Sequence, residues 1–126
     1  MADKTRAITT GLVEISTVLN AVVTTTTSSL KEVSGWTAIS IQCIAADIST
    51  GNGVFTVEVS NDGTNWKQLQ SLITNVTAQT KAASITLSAD GNELVFLDKN
   101  LRFNYIRVKC TRTTDGTYSA ILYVQY

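Results

Sequence analysis

Val54-Phe55-Thr56-Val57-Glu58-Val59-Ser60-Asn61-Asp62-Gly63-Thr64-Asn65-Trp66 decides the fold class. Phe55, Val57 and Val59 alternate with Thr56 and Glu58, which is the period of a strand with one face buried. The run then breaks at Asn61-Asp62-Gly63, where Asp-Gly supplies the backbone freedom of a tight turn. Trp66 to Leu69 resumes on the far side, so the stretch predicts an antiparallel hairpin.

The same alternation extends outward. In Trp36-Thr37-Ala38-Ile39-Ser40-Ile41-Gln42-Cys43-Ile44, the residues Ile39, Ile41 and Cys43 are expected in the core and Ser40 and Gln42 outside it. In Phe103-Asn104-Tyr105-Ile106-Arg107-Val108-Lys109-Cys110, Ile106, Val108 and Cys110 share one face, opposite Tyr105, Arg107 and Lys109. The last run, 118–126, sets Leu122 and Val124 against Tyr123 and Gln125. Asp115-Gly116 separates these last two runs, which are expected to pair as a second hairpin. A third Asp-Gly, Asp90-Gly91, lies between Ile85-Thr86-Leu87 and Leu94-Val95-Phe96. Short strands punctuated at this interval predict an all-β, antiparallel sandwich of about eight strands, with jelly-roll and immunoglobulin-like connectivity both open.

Composition agrees. Twenty threonines favour sheet over helix, because a β-branched side chain is stiff at χ1. The chain is 44% hydrophobic and only 16% charged, against about 25% charged in an average soluble domain, so a packed core with a neutral polar surface is expected rather than disorder. At 126 residues one domain accounts for the length. We expect a single sandwich over residues 11–126, preceded by a polar arm over 1–10 that orders on a neighbouring surface or simply frays. Between them, Leu12, Ile15, Val18, Leu19 and Val22 would fit a helix face, but the surrounding Thr9, Thr10, Thr17 and 24–27 favour extended chain. With no proline anywhere, edge strands need protection by charge, bulges or, as preferred here, contacts between subunits.

Chemistry is sparse. Without histidine, the commonest general base, the Ser-His and Cys-His pairs and most zinc or iron ligand sets are missing. Gly51-Asn52-Gly53 lacks the lysine and helix of a phosphate loop. Glu14, Glu32, Asp47, Glu58, Asp62, Asp90, Glu93 and Asp98 could supply a glycosidase acid and base, but most of them fall in turn signals or on outward strand positions, where a solvated side chain is the simpler account. Asn61-Asp62-Gly63 with Asn65 has oxygen donors for calcium without the spacing of a calcium loop. Trp36, Trp66, Tyr105, Tyr118, Tyr123 and Tyr126 offer stacking surfaces for a glycan, although aromatic residues in a sandwich more often serve core or interface packing. No catalytic, cofactor-binding or metal-binding residue is therefore assigned, and the chain is expected not to be an enzyme. Cys43 and Cys110 are expected as reduced, buried thiols, with a disulfide geometrically open.

Ten basic and ten acidic residues cancel, which gives no positive field for nucleic acid. No stretch approaches the roughly 20 apolar residues of a membrane helix, and Met1-Ala2-Asp3-Lys4-Thr5-Arg6 leads into no signal-peptide core, so synthesis in the cytoplasm is expected. On that expectation Asn75-Val76-Thr77 is an ordinary loop rather than a glycosylation site.

The hairpin Val57-Glu58-Val59-Ser60-Asn61-Asp62-Gly63-Thr64-Asn65-Trp66, together with Val33-Ser34-Gly35-Trp36 and Asn104-Tyr105-Ile106-Arg107-Val108, resembles small β-sandwich structural proteins of tailed-phage virions, of capsid-decoration, auxiliary or head-fibre type. The resemblance spans about residues 30–126 and carries no functional residues with it. It implies a protein found in the virion that works by binding, with the major capsid protein or other virion proteins as partners, and a homo-oligomer, a trimer being favoured. A tail, neck or fibre component and a carbohydrate-binding or adhesion module are the alternatives.

Overall fold

Alternation becomes sheet throughout the computed structural model, which describes residues 11–74, 77 and 79–126. The strands are β1 (Val13–Val22), β2 (Thr26–Thr27), β3 (Lys31–Glu32), β4 (Ala38–Ala46), β5 (Asn52–Ser60), β6 (Lys67–Gln68), β7 (Leu72–Ile73), β8 (Lys81–Ala82), β9 (Ile85–Leu87), β10 (Gly91–Phe96), β11 (Tyr105–Thr113) and β12 (Thr117–Gln125). One sheet, A, runs β1-β12-β4-β10-β7-β8; the other, B, runs β2-β11-β5-β6, with β3 also on β11 and β9 on β5. Every strand pair is antiparallel. The described residues thus form twelve strands, not about eight. The excess lies in six pieces of two or three residues. Pieces so short span less than two periods of alternation, so hydrophobic patterning does not register them. The expected arm, residues 1–10, and Asn75-Val76 of the glycosylation pattern lie outside the described residues.

The inward rows are those read from the sequence. Ile39, Ile41 and Cys43 from sheet A meet Phe55, Val57, Ile106, Val108 and Cys110 from sheet B, and Leu122 and Val124 close the layer. Phe55 and Tyr118 join the sheets edge to face, with ring centroids 6.1 Å apart at 71°. Trp36 is buried against Phe103 at 5.1 Å. Burying such rings supplies much of the apolar area that drives the fold. The 12–22 segment is extended, as expected, and β1 carries two register shifts before Val22, with Ala21 at φ 49°.

The Asp62-Gly63 hairpin forms as read, pairing Glu58 with Gln68 and Val59 with Lys67 across Gly63 at φ 76°. The hairpin expected around Asp115-Gly116 does not. β11 belongs to sheet B and pairs with β2, β3 and β5, whereas β12 inserts between β1 and β4 in sheet A. The 113–117 turn is therefore an arch between sheets. So is the segment around Asp90-Gly91, since β9 lies in sheet B and β10 in sheet A. The physical reason is in the aspartates. Asp115 spends its carboxylate on the 47–51 link, itself a crossing from β4 to β5, accepting N–H bonds from Ser49 (3.1 Å), Thr50 (3.1 Å) and Gly51 (3.0 Å). Asp90 accepts from Ile48 N–H at 2.9 Å. Three sheet-to-sheet crossings are thus tied together by two carboxylates. The corner tolerates no side chain at two of its glycines: a Cβ on Gly51 would lie 2.1 Å from the Thr113 carbonyl oxygen, and one on Gly53 2.4 Å from the Tyr118 ring.

Candidate functional site

Outward positions of sheet B carry its chemistry. The β5–β11 register sets Arg107 opposite Glu58, and their side chains form an ion pair of 2.6 Å. The hairpin then brings Trp66 beneath the same guanidinium, whose carbon lies 4.1 Å from the indole centroid. Both charged side chains remain about a quarter to a third exposed, so the pair is screened by solvent and contributes little to stability. Its effect is to hold a planar cation and an indole rigid at the surface. Tyr105, half-buried two residues before Arg107, lies against the turn: a Cβ on Gly63 would sit 3.6 Å from its ring.

The turn itself is organised by Asp62. Its Oδ1 accepts bonds from the backbone N–H of Thr64 and of Asn65, both at 2.8 Å, and from the Ser60 hydroxyl at 2.9 Å, and its Oδ2 accepts from the Asn65 amide at 2.8 Å. These donors hold its carboxyl well below the usual carboxylate range, the Asn65 N–H being the largest cause. A carboxylate so filled with N–H donors is turned into its own loop, which explains the Asn-Asp-Gly sequence without an ion. Among the described residues no three His, Cys, Asp or Glu side chains gather as metal ligands would. Beside the turn, a groove of about 240 Å³ is lined by Val59, Ser60, Asn61, Asn65, Lys67, Arg102 and Phe103.

The remaining residues singled out by sequence are dispersed. Trp36, Tyr118 and Tyr126 are buried, and the Tyr126 hydroxyl donates to Glu14 at 3.1 Å. Trp66, Tyr105 and Tyr123 are half-buried; Trp66 has one face taken by Arg107, and Tyr123 lies on the other sheet. Glu58 is paired with Arg107, Asp98 caps Asn100 N–H at 2.8 Å, and Glu93 borders a groove with Thr74, Thr80 and Ser84. Cys43 and Cys110 are free and buried. The Glu58–Arg107–Trp66 stack was not anticipated. Its signal, two opposite charges on outward positions and a tryptophan after the turn, becomes readable only once β5 and β11 are known neighbours.

Geometry and order together define a two-sheet antiparallel β protein with a rigid Trp-Arg surface cluster. No protein-family model matches the chain, and no curated protein sequence does. Among solved structures, the SPBc2 prophage-derived protein YomS superposes with a TM-score of 0.63 at 17% identity, over 92% of this chain and 96% of that one. At that identity the likeness is one of fold, and it runs nearly end to end in both proteins. PirA (TM-score 0.48, 14% identity, 88% of this chain and 92% of that one) and a chain of infectious bursal disease virus, Gx strain (0.48, 17%, 90% and 32%), are more distant.

Proposed function

We propose that this protein is a structural component of a tailed-phage virion, a capsid decoration or auxiliary protein that acts by protein–protein contact and performs no catalysis. The observation that carries the reading is a fold shared over 92% of this chain with a prophage-derived protein. The hairpin resemblance over 57–66 points the same way. The surface assigned to the virion partner is the outer face of sheet B with its 61–66 turn. Trp66 and Arg107 belong to the residue types that dominate binding hot spots, and here each fixes the other's rotamer before any partner arrives, lowering the entropy lost on binding. A protein bound across a junction of capsid subunits would oppose their separation by the area it covers.

The test is co-sedimentation with phage particles stripped of accessory proteins, read as bound copies per particle. Saturable binding at a number set by shell symmetry, weakened at least tenfold by Trp66→Ala, is expected. Failure to bind heads, with binding to tails or to glycans instead, overturns the decoration assignment.

A further inference from the structure

Two sheets with one shared core leave two outer faces, and these faces differ. Sheet B turns Glu58, Arg107 and Lys109 outward. On sheet A the outward positions of β1, β12, β4 and β10 are Val13, Ile15 and Thr17; Thr117, Ser119, Ile121, Tyr123 and Gln125; Ala38, Ser40, Gln42, Ile44 and Ala46; and Asn92, Leu94 and Phe96. Among these described residues there is no Asp, Glu, Lys or Arg. The register lines them up in rows, Ile15–Tyr123–Ser40–Phe96 and Thr17–Ile121–Gln42–Leu94. Ile15 is 67% exposed, Val13 43% and Leu94 39%, so the bulk at both margins stands in solvent. A one-sided antiparallel sheet ordinarily turns polar and charged residues to water. Charge depletion with apolar and aromatic enrichment is instead the signature of an interface core.

We infer that the outer face of sheet A is a contact surface for a second copy of this chain, apposed across a two-fold axis. Three properties select a copy of itself as occupant. First, the four long strands present no charge, and Lys81, which the register sets outward beyond Ile73, lies at the margin, so the centre of the face meets its own image without like-charge repulsion. Second, its polar side chains are Ser, Thr, Gln, Asn and Tyr, each both a donor and an acceptor, so each can pair with a symmetry mate of its own kind. A charged or acceptor-only partner would need an answering group that these four strands lack. Third, the area reaches the lower range of specific interfaces: four strands about 4.8 Å apart and seven residues long project to roughly 500 Å², about 1,000 Å² over both partners. Side-chain relief and the flanking Ile73 of β7 add to this, against about 800 Å² per partner in a standard interface. Rows that alternate Ile, Tyr and Phe with Ser, Thr and Gln interdigitate when two such faces meet, as the inner faces of a sandwich do. The contact is isologous, and it leaves both sheet B faces pointing outward, free for a different partner.

The test needs no virion. Light scattering on the purified full chain should give twice 13.6 kDa at micromolar concentration. Ile121→Arg, at the centre of the face, and Leu94→Glu, on its β10 side, should each return the mass to a single chain while the intrinsic fluorescence of buried Trp36 is unchanged. Thr111→Arg, outward on sheet B, should leave the dimer intact. A wild-type chain that stays at 13.6 kDa up to 100-fold higher concentration overturns the proposal, as does a trimer, or an oligomer indifferent to both sheet A charges. The virion reading fails separately, by a dimer that ignores particles, or survives separately, in a monomer that binds them.

Discussion

A thiol reacts as its thiolate, and burial withholds that form from both cysteines. Desolvation pushes the Cys43 thiol up to about 12, helped by neighbouring Cys110 and Glu93, and pushes Cys110 up to about 11. A raised thiol pKa favours the neutral form in the fold, so this stabilisation is present below the unfolded value of 9.0 and is lost as pH rises toward 11. At pH 8 the thiolate fraction is at least about 100-fold below that of an unfolded cysteine. Alkylation of the native protein at that pH should therefore be slower by at least about that factor than in denaturant, for both thiols. Equal rates in the two conditions would show that the core around Cys43 and Cys110 opens readily. The same core position explains why period-2 reading placed both residues correctly: they sit in the middle of long strands, where alternation is least ambiguous.

At the scale of elements, the arch between β11 and β12 depends on Asp115. The Thr50 and Ser49 N–H bonds, the largest causes, hold its carboxyl below the usual 3.8, and the Asn65 N–H does the same for Asp62. For a depressed pKa, the stabilisation is complete above the unfolded value and disappears as pH falls through the folded one. The urea midpoint should be level from pH 7 to about 5 and fall below about pH 4. In Asp115→Asn the midpoint should be lower at pH 7 and the acid slope shallower, since an amide keeps one acceptor but neither the charge nor the second oxygen. An unchanged acid slope would remove Asp115 from the corner's support.

This is also where sequence reading stopped. Asp62-Gly63 and Asp115-Gly116 look alike as dipeptides, yet one closes a hairpin and the other crosses between sheets. Nothing local distinguishes them, because the deciding partners of Asp115 are N–H groups more than sixty residues away. The faces of β4, β5, β11 and β12 were legible, each being nine residues that alternate over most of their length. The two-residue strands were not. The Trp66–Arg107 cluster and the uncharged outer face of β1, β12, β4 and β10 both require strand order, which alternation leaves open. A partial signal for the face was present, since Ile44, Ile121 and Tyr123 occupy positions where a solvated strand would carry charge.

For the whole molecule, the order β1-β12-β4 makes the fold a closed statement about its two ends. Val13 pairs with Gln125, Gly11 N–H donates to the Tyr126 carbonyl at 2.9 Å, and β12 is flanked on both sides. Deleting 117–126 removes Tyr118, Ala120, Leu122, Val124 and Tyr126 from the core and strips β1 and β4 of their shared partner. The shortened chain should lack cooperative unfolding altogether and show the dispersion-poor amide spectrum of an unfolded protein. A chain that keeps a sharp urea transition would show that sheet B with β4 and β10 folds alone.

That interior place for the last strand has a consequence for how the protein is born. While the ribosome still holds β12, every other strand of sheet A has been synthesised, and the one that belongs between β1 and β4 is missing. β1 and β4 wait with open edges until the tunnel releases β12. Sheet A thus cannot close before β12 emerges, and crowding of unfinished chains on one message is the stage at which these exposed strands are most prone to pair wrongly.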